Sequence, residues 1–421
     1  MSSTYIHILG RQPALGLAEL EAAYGSAQVA PAGRSAALLT LPAAPEDEVE
    51  ALGFHRLGGS IKVGRLLDRT SATAWPQIIR HLEQHLDAYL ADIPEGKLKF
   101  GISLYGLPVA PRKLGATALD LKKQIRSGGR SVRIIPNQDT ALSSAQVLHN
   151  NLTGPLGFEL LVVNTGRETL IGRTLNCQYI EAYAARDYGR PKRDAFVGML
   201  PPKLAQIMIN LAAGPLLRQR QTDEPEAAPR LLDPFCGTGV VLQEALLMGL
   251  SAYGTDVSER MIDFSRTNLQ WLPEQFPAAG IEAEDVRLEP GDATTHQWQP
   301  PINCVAAETY LGQPMQQLPA PARFDRIVAD VDELHRRFFV NLAAQLPAGT
   351  PLCVAVPAWR LTPAASAKAP GYEQFRHLPV IDELASLGYN QTDFSYVARR
   401  DMLYFREDQV VARELLVLEK R

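Results

Sequence analysis

The stretch Asp233-Pro234-Phe235-Cys236-Gly237-Thr238-Gly239 follows the apolar pair Leu231-Leu232 and leads straight into Val240 to Met248. In that segment Val241, Ala245 and Met248 fall on one helical face, and Gly249 ends it. A glycine turn between a buried strand and a helix opens a strand–helix–strand unit. Further strand-like runs recur at Ser251 to Thr255, Val286 to Leu288, Val305 to Ala307 and Leu352 to Val356, and Ile262, Ser265, Leu269 and Leu272 lie at helical spacing between two of them. This repetition predicts a doubly wound, mostly parallel α/β sheet in the C-terminal half.

The same turn carries chemistry. Gly237 and Gly239 let the backbone approach a ligand where a Cβ would interfere, and the helix start offers unsatisfied N–H groups to a carboxylate. Asp256, about 20 residues further on at the next strand end, is placed to hold ribose hydroxyls. Asp292, in Gly291-Asp292-Ala293, ends the third strand and can accept from an adenine amine. Three acids at three successive strand ends fit an adenosine-bearing cofactor. A nicotinamide cofactor fits less well, because Leu242 stands where the third fingerprint glycine belongs.

The first half has another grain. Strand-like runs at Tyr5 to Leu9, Ala36 to Leu41, Leu98 to Leu104 and Ser131 to Ile135 alternate with helical stretches at Leu15 to Tyr24, Trp75 to Tyr89 and Ala116 to Arg126. They predict an α+β region with segments too short for a large parallel sheet. Punctuation at Gly189 to Asp194 and Pro201-Pro202 marks a linker, and Lys203 to Leu217 reads as a helix. Gln219 to Pro229 and Pro363 to Ala369 read as loops. Four scattered cysteines without a CxxC pair suit a reducing cytoplasm. No apolar run is long enough to span a bilayer, and the N-terminus lacks a signal-peptide core.

The net charge of −4 conceals an asymmetry. Residues 1–200 hold 22 Lys and Arg against 18 Asp and Glu, whereas residues 201–421 hold 20 against 28. The basic excess concentrates at 111–133, where Arg112, Lys113, Lys122, Lys123, Arg126, Arg130 and Arg133 oppose only Asp120. On the predicted helix, Leu119 and Leu121 point toward packing while Lys122, Lys123 and Arg126 project outward. The Gly128-Gly129 turn lets backbone approach a phosphate. With no dense aromatic ladder, the segment suits a folded RNA read by shape and phosphates. Arg186, Arg190, Lys192 and Arg193 form a second basic stretch, for bracing or for RNA.

Asp-Pro-Phe-Cys-Gly-Thr-Gly resembles motif I of class I S-adenosylmethionine-dependent methyltransferases that act on amino groups of nucleic acids. Tyr5 to Pro13 with Leu17 to Glu21, Glu181 to Pro191, Met199 to Gln206 and Glu407 to Glu414 resemble the THUMP-containing tRNA guanosine N2-methyltransferases. The resemblance implies a ferredoxin-like region (1–95), a THUMP RNA-binding domain (96–178), a linker (179–202) and a Rossmann-like methyltransferase domain (203–421). It implies S-adenosyl-L-methionine held by Asp233, Phe235, Gly237, Gly239, Asp256 and Asp292. It further implies tRNA as partner and leaves open a small activating subunit. The alternatives are a non-catalytic tRNA-binding protein that keeps the cofactor fold, or a DNA amino-methyltransferase.

The pattern departs at the fourth strand end. The family carries Asp/Asn-Pro-Pro-Tyr there, to orient a poorly nucleophilic exocyclic amine and stack its base. This chain reads Ala306-Ala307-Glu308-Thr309-Tyr310. Ungapped, Ala307 takes the acceptor's place; with a one-residue deletion, Glu308 does. Glu308 and Tyr310 are therefore the catalytic candidates. Asp330-Val331-Asp332-Glu333 reads as the solvated start of a helix running through Phe338 and Phe339. His81 and His85 have i, i+4 spacing, but with no ligand set nearby they read as helix surface, and no metal is expected. Cys236 needs only to be small, and His296 and Trp298 read as packing.

Overall fold

A computed structural model describes residues 2–41, 52–194, 200–220, 228–361 and 371–421. The expected Pro363 to Ala369 loop, residues 221–227 of the Gln219 to Pro229 stretch, and Met199 lie outside the described residues. The chain divides into two compact units. One comprises Met1–Pro13, Ala27–His55 and Gly59–Ala182; the other comprises Ala14–Ser26, Arg56–Gly58 and Tyr183–Arg421.

The first unit is built on a sheet of β1 (Ser3–Leu9), β2 (Val29–Pro31), β3 (Ala36–Leu41), β4 (Ser60–Thr70), β5 (Leu98–Tyr105), β6 (Val132–Ile134), β7 (Gly157–Asn164) and β8 (Thr169–Cys177). The strand order is β2-β3-β1-β4-β8-β7-β5-β6. Only β5 pairs in parallel, with β6 and β7, so the α+β character expected of this half holds. β4 pairs with β8 from Lys62↔Cys177 to Thr70↔Thr169, which carries the sheet through the expected boundary at residue 95.

Apart from α1 (Pro13–Tyr24), described with the second unit, the helices here are α2 (Trp75–Tyr89), α3 (Pro111–Ser127) and α4 (Ser144–His149). Ile78, Leu82 and Leu86 of α2 and Leu114, Ala118, Leu121 and Ile125 of α3 close over Phe100, Ile102, Phe158 and Leu160 of the sheet. Leu119 is a correction: it is 52 % exposed, because it lies off the 114–118–121–125 stripe that meets the sheet. Deeper in, Lys62 Nζ and Glu159 Oε1 form a buried ion pair. Ser103 Oγ donates to the same carboxylate at 2.5 Å, Thr174 Oγ1 to its other oxygen at 2.6 Å, and Lys62 Nζ to Leu142 O at 2.7 Å.

The second unit holds β9 (Arg230–Asp233), β10 (Ser251–Asp256), β11 (Val286–Pro290), β12 (Cys304–Glu308), β13 (Pro351–Arg360), β14 (Phe375–Arg376), β15 (Tyr389–Gln391), β16 (Leu403–Tyr404) and β17 (Val411–Lys420). The main order is β11-β10-β9-β12-β13-β17-β15, with β14 on β13 and β16 on β17. β9 to β13 pair in parallel, and β17 enters antiparallel beside β13. Each predicted strand of this half appears, lengthened by one or more residues.

This unit's helices are α1, α5 (Ile180–Asp187), α6 (Pro202–Arg220), α7 (Val240–Leu247), α8 (Glu259–Gln275) and α9 (Pro321–Ala343). α6 lies against β12 and β13, while α9 packs Val328, Phe338, Phe339 and Leu342 onto Leu232, Val305 and Val354 of the sheet. α1 docks within this unit through Glu19, whose Oε1 accepts from Asn210 Nδ2 at 2.8 Å and from Gly58 N at 2.9 Å.

Candidate active site

From β9 the chain winds outward through β10 and β11, then returns to β12 on β9's other side. The connections diverge there, and the carboxyl ends of β9 and β12 at such a switch point are the usual ligand position in sheets of this kind. Asp233 ends β9, Asp256 ends β10 and Glu308 ends β12. The fold therefore brings three sequence-predicted acids to one edge.

The glycine turn has the backbone its sequence demands. Gly237 and Gly239 adopt φ of +51° and +83°, and a Cβ on Gly239 would stand 3.0 Å from Ser265 Oγ. Gly239 caps α7 without a side chain, leaving first-turn amides without intrahelical acceptors. Two residues of α8 hold the turn from beneath. Ser265 Oγ donates to Gly237 O at 2.8 Å, and Asn268 Nδ2 donates to Thr238 O at 2.8 Å and to Lys192 O at 2.9 Å. Sequence reasoning saw Ser265 only as a packing position and missed Asn268, because nothing local marks a polar residue as a turn support.

Asp256 ties the turn to β10. Its two oxygens accept from Gly237 N at 3.0 Å and Ser258 N at 2.9 Å, each keeping a lone pair for a further donor. Asp233 is buried, with Oδ1 accepting from Phe235 N at 3.1 Å. Burial pushes its carboxyl well above the usual range, and the charges of Asp256 and Glu308 add to the rise. Burial raises Asp256 too. Asp292 is exposed and accepts at Oδ1 from the Thr294 amide and hydroxyl, which hold it below the ordinary carboxylate range. The Phe235 ring packs edge-on to Phe338 at 4.9 Å.

At the end of β12, Arg413 Nε donates to Glu308 Oε1 in a largely buried ion pair. The Arg413 guanidinium also lies 5.9 Å from the Tyr404 ring centre. Thr309 is buried and bonded to His335 Nε2 at 2.7 Å. Burial lowers the His335 pKa to about 4, so the ring is neutral near pH 7; its proton goes from Nδ1 to Val331 O at 2.7 Å, and Nε2 accepts from the Thr309 hydroxyl. With Thr309 anchored, Tyr310 turns outward, 43 % exposed. Arg413 lies inside the Glu407 to Glu414 match and could have been singled out there. His335 left no sequence signal.

Several further expectations meet the structure here. The acids near Asp330 do not open a helix: α9 begins at Pro321, and Asp332 is buried in its middle, accepting from Val380 N at 2.7 Å. The macrodipole argument fails because the helix start lies nine residues earlier than the run. Arg112, Lys113, Lys123, Arg126 and Arg133 are exposed and Lys122 is half-buried, whereas Arg130 donates to the carbonyls of Ile93, Pro94 and Gly96 and braces that loop. Arg186 is buried against Glu244, with Nε 2.7 Å from Oε1, and stacks over Tyr183 at 4.5 Å; Arg190 is buried as well. Burial pushes the Cys236 thiol up, and Trp298 is buried with Nε1 donating to Thr255 Oγ1 at 3.1 Å. Among the described residues, no helix is long and apolar enough to cross a membrane.

No family model matches the chain. A tRNA (guanine(10)-N2)-dimethyltransferase of Methanothermobacter thermautotrophicus is 39 % identical over 106 residues, 25 % of this chain and 28 % of that protein. The protein of the same name from Pyrococcus abyssi is 31 % identical over 154 residues, 36 % and 38 % of the two chains. The matches thus span well under half the length of these relatives. Among solved structures, TrmN from Thermus thermophilus superposes over all of both chains with a TM-score of 0.53 at 18 % identity. A possible methylase from Clostridium difficile 630 gives 0.50 at 12 %, covering 99 % of this chain and 98 % of the other. The fold is that of the class I methyltransferases.

Proposed function

We propose that this chain is an S-adenosyl-L-methionine-dependent RNA methyltransferase that modifies the exocyclic N2 amine of a guanosine in tRNA. The observation that carries the reading is the gathering of Asp233, Asp256 and Glu308 around a glycine turn, with Arg413 the one arginine paired to them among the described residues. Such a cluster has more carboxylate than cation and suits a ligand that brings positive charge. S-adenosylmethionine supplies a sulfonium and an ammonium, and its sulfonium carries the methyl group to be transferred. The local identity to tRNA (guanine(10)-N2)-dimethyltransferases supports the choice of RNA and of the guanine amine.

In this reading Asp233 and the amides of the turn receive the amino-acid end, Asp256 accepts from ribose hydroxyls, and Asp292 accepts from the adenine amine. Phe235, Gly237 and Gly239 shape the floor. Glu308 accepts a hydrogen bond from the guanine N2, which aims the nitrogen lone pair at the methyl, and the exposed Tyr310 ring stacks on the base. Alignment then supplies much of the rate. Residues 1–95 form the ferredoxin-like region, 96–178 the THUMP domain, 179–202 the linker and 203–421 the methyltransferase domain. Arg112, Lys113, Lys122, Lys123, Arg126 and Arg133 offer their charges to phosphates in the cytoplasm, where tRNA matures, while Arg130 contributes by holding its loop.

The test is mass spectrometry of nucleosides from unmodified tRNA incubated with protein and labelled donor. Label in N2-methylguanosine, abolished by Asp233→Ala, is the expected result. Donor binding with tRNA left unmodified, or label entering duplex DNA in preference to tRNA, overturns the proposal.

A further inference from the structure

The pair His81 and His85, lacking a third ligand in the sequence, acquires one in the fold. Asp68, on β4, places Oδ2 2.7 Å from His81 Nε2. Candidate ligand atoms of Asp68, His81 and His85 all lie within 4.8 Å of one another, the one such grouping among the described residues. We propose that these three side chains form a binding site for a divalent transition ion of the zinc class, clipping α2 to β4.

The surroundings are those of a prepared site. The register of β4 against β8 slips between Leu66 and Asp68, a bulge at Leu67 of the kind that re-aims a neighbouring side chain. Tyr89, one further helical turn along α2, donates its hydroxyl to Asp68 Oδ2 at 2.7 Å and fixes the carboxylate. His85 Nδ1 donates to His81 O at 2.8 Å, which leaves the lone pair on Nε2. The two imidazoles lie side by side with centres 4.2 Å apart. Outer hydrogen bonds of this sort orient ligands in metal sites.

Two imidazoles and one carboxylate favour zinc, cobalt, nickel or copper over calcium or magnesium. On binding, the ring proton that His81 Nε2 holds against Asp68 passes through solvent to Nδ1, which frees the Nε2 lone pair for the ion, and the two atoms part from 2.7 Å to about 3.3 Å, the edge of a tetrahedron with metal bonds near 2.0 Å. Water completes the coordination from the exposed His85 side. All four cysteines are buried, so no exposed thiol competes.

Untagged full-length protein, stripped with chelator, is titrated with Zn²⁺ by calorimetry and with Co²⁺ by visible absorption. One ion per chain, intense tetrahedral cobalt bands and a raised Tm are expected. His85→Gln, on an exposed position, abolishes uptake with the circular dichroism unchanged. Tyr89→Phe keeps every ligand and weakens binding by about tenfold. Failure of the parent protein to take up either ion, or uptake that survives both His85→Gln and His81→Gln, overturns the proposal. Neither readout depends on methylation, whose proposed cofactor residues lie in the other unit.

Discussion

Arg413 on the antiparallel strand β17 donates to the carboxylate of Glu308 at the end of the parallel strand β12, 105 positions away in the chain. The pair sets the direction in which the longer glutamate presents its remaining lone pairs, and so decides whether Glu308 can stand in for a shorter acid. Glu308→Gln keeps the shape but removes the charge. It is expected to lower kcat by about 10²-fold while product-cofactor affinity, measured by calorimetry, stays unchanged. Arg413→Met leaves a buried carboxylate unpaired and should depress both activity and Tm. A Glu308→Gln enzyme with full kcat would remove Glu308 from the chemistry.

The turn is a second point of leverage. Gly239→Ala forces a side chain into the left-handed region at φ +83° and against Ser265 Oγ. It should cost about 1–2 kcal/mol of stability in urea titration and weaken cofactor binding. Gly249, also at positive φ but with open space around it, is the control: its alanine variant should lose stability and keep cofactor affinity.

Lys123 and Arg126 are exposed on α3 with Lys122 half-buried beside them, and among the described residues Lys123 is tied to the surface partner Asp120 at 2.9 Å. A surface pair of that kind yields readily to a phosphate. Reversing all three charges should weaken tRNA binding and reduce the slope of log affinity against log salt by roughly one unit per lost contact. Filter binding across a salt series measures both, and an unchanged slope would move the RNA site elsewhere.

What could be read from sequence follows from how local each feature is. Ala36–Leu41 and Trp75–Tyr89 coincide with their predicted bounds because strand alternation and helical spacing are written in neighbouring residues. The order of turn, helix and strand-end acids was legible for the same reason, and Asp233, Asp256 and Glu308 do end their strands. The long strand β4 escaped because its partners, β1 and β8, lie far off in the chain. Asp68 beside His81 and Arg413 beside Glu308 are pairs only once the sheets are assembled. The start of α9 was misjudged because an acidic run outweighed Pro321, the better start signal.

The buried pair Lys62–Glu159 makes a stability prediction. Both side chains are at most 1 % exposed, and the carboxylate also serves Ser103 and Thr174. Lys62→Met strands a negative charge in the first unit's core and should cost about 3–5 kcal/mol in denaturant titration. Adding Glu159→Gln should restore much of it, since the neutral amide's oxygen still accepts from one hydroxyl while its NH2 can donate to the oxygen of the other. Equal instability of single and double variants would show that packing, and not charge, is what Lys62 supplies.

His335 gives the second unit a defined acid response. Its pKa is lowered from 6.5 to about 4 because the ring is buried, so the unfolded chain takes up its proton first. The stability this represents is complete above pH 6.5 and falls away as the pH drops from 6.5 toward 4. At pH 5 the loss from this group alone is about 2 kcal/mol relative to pH 7.5. Buried Trp298 and Trp359 report the unfolding of this unit by fluorescence in urea at the two pH values. In His335→Gln, which can still meet Thr309, the difference between pH 7.5 and pH 5 should shrink by that amount. If parent and variant lose stability in parallel, carboxylates dominate the acid response and the neutral imidazole holding Thr309 is not its source.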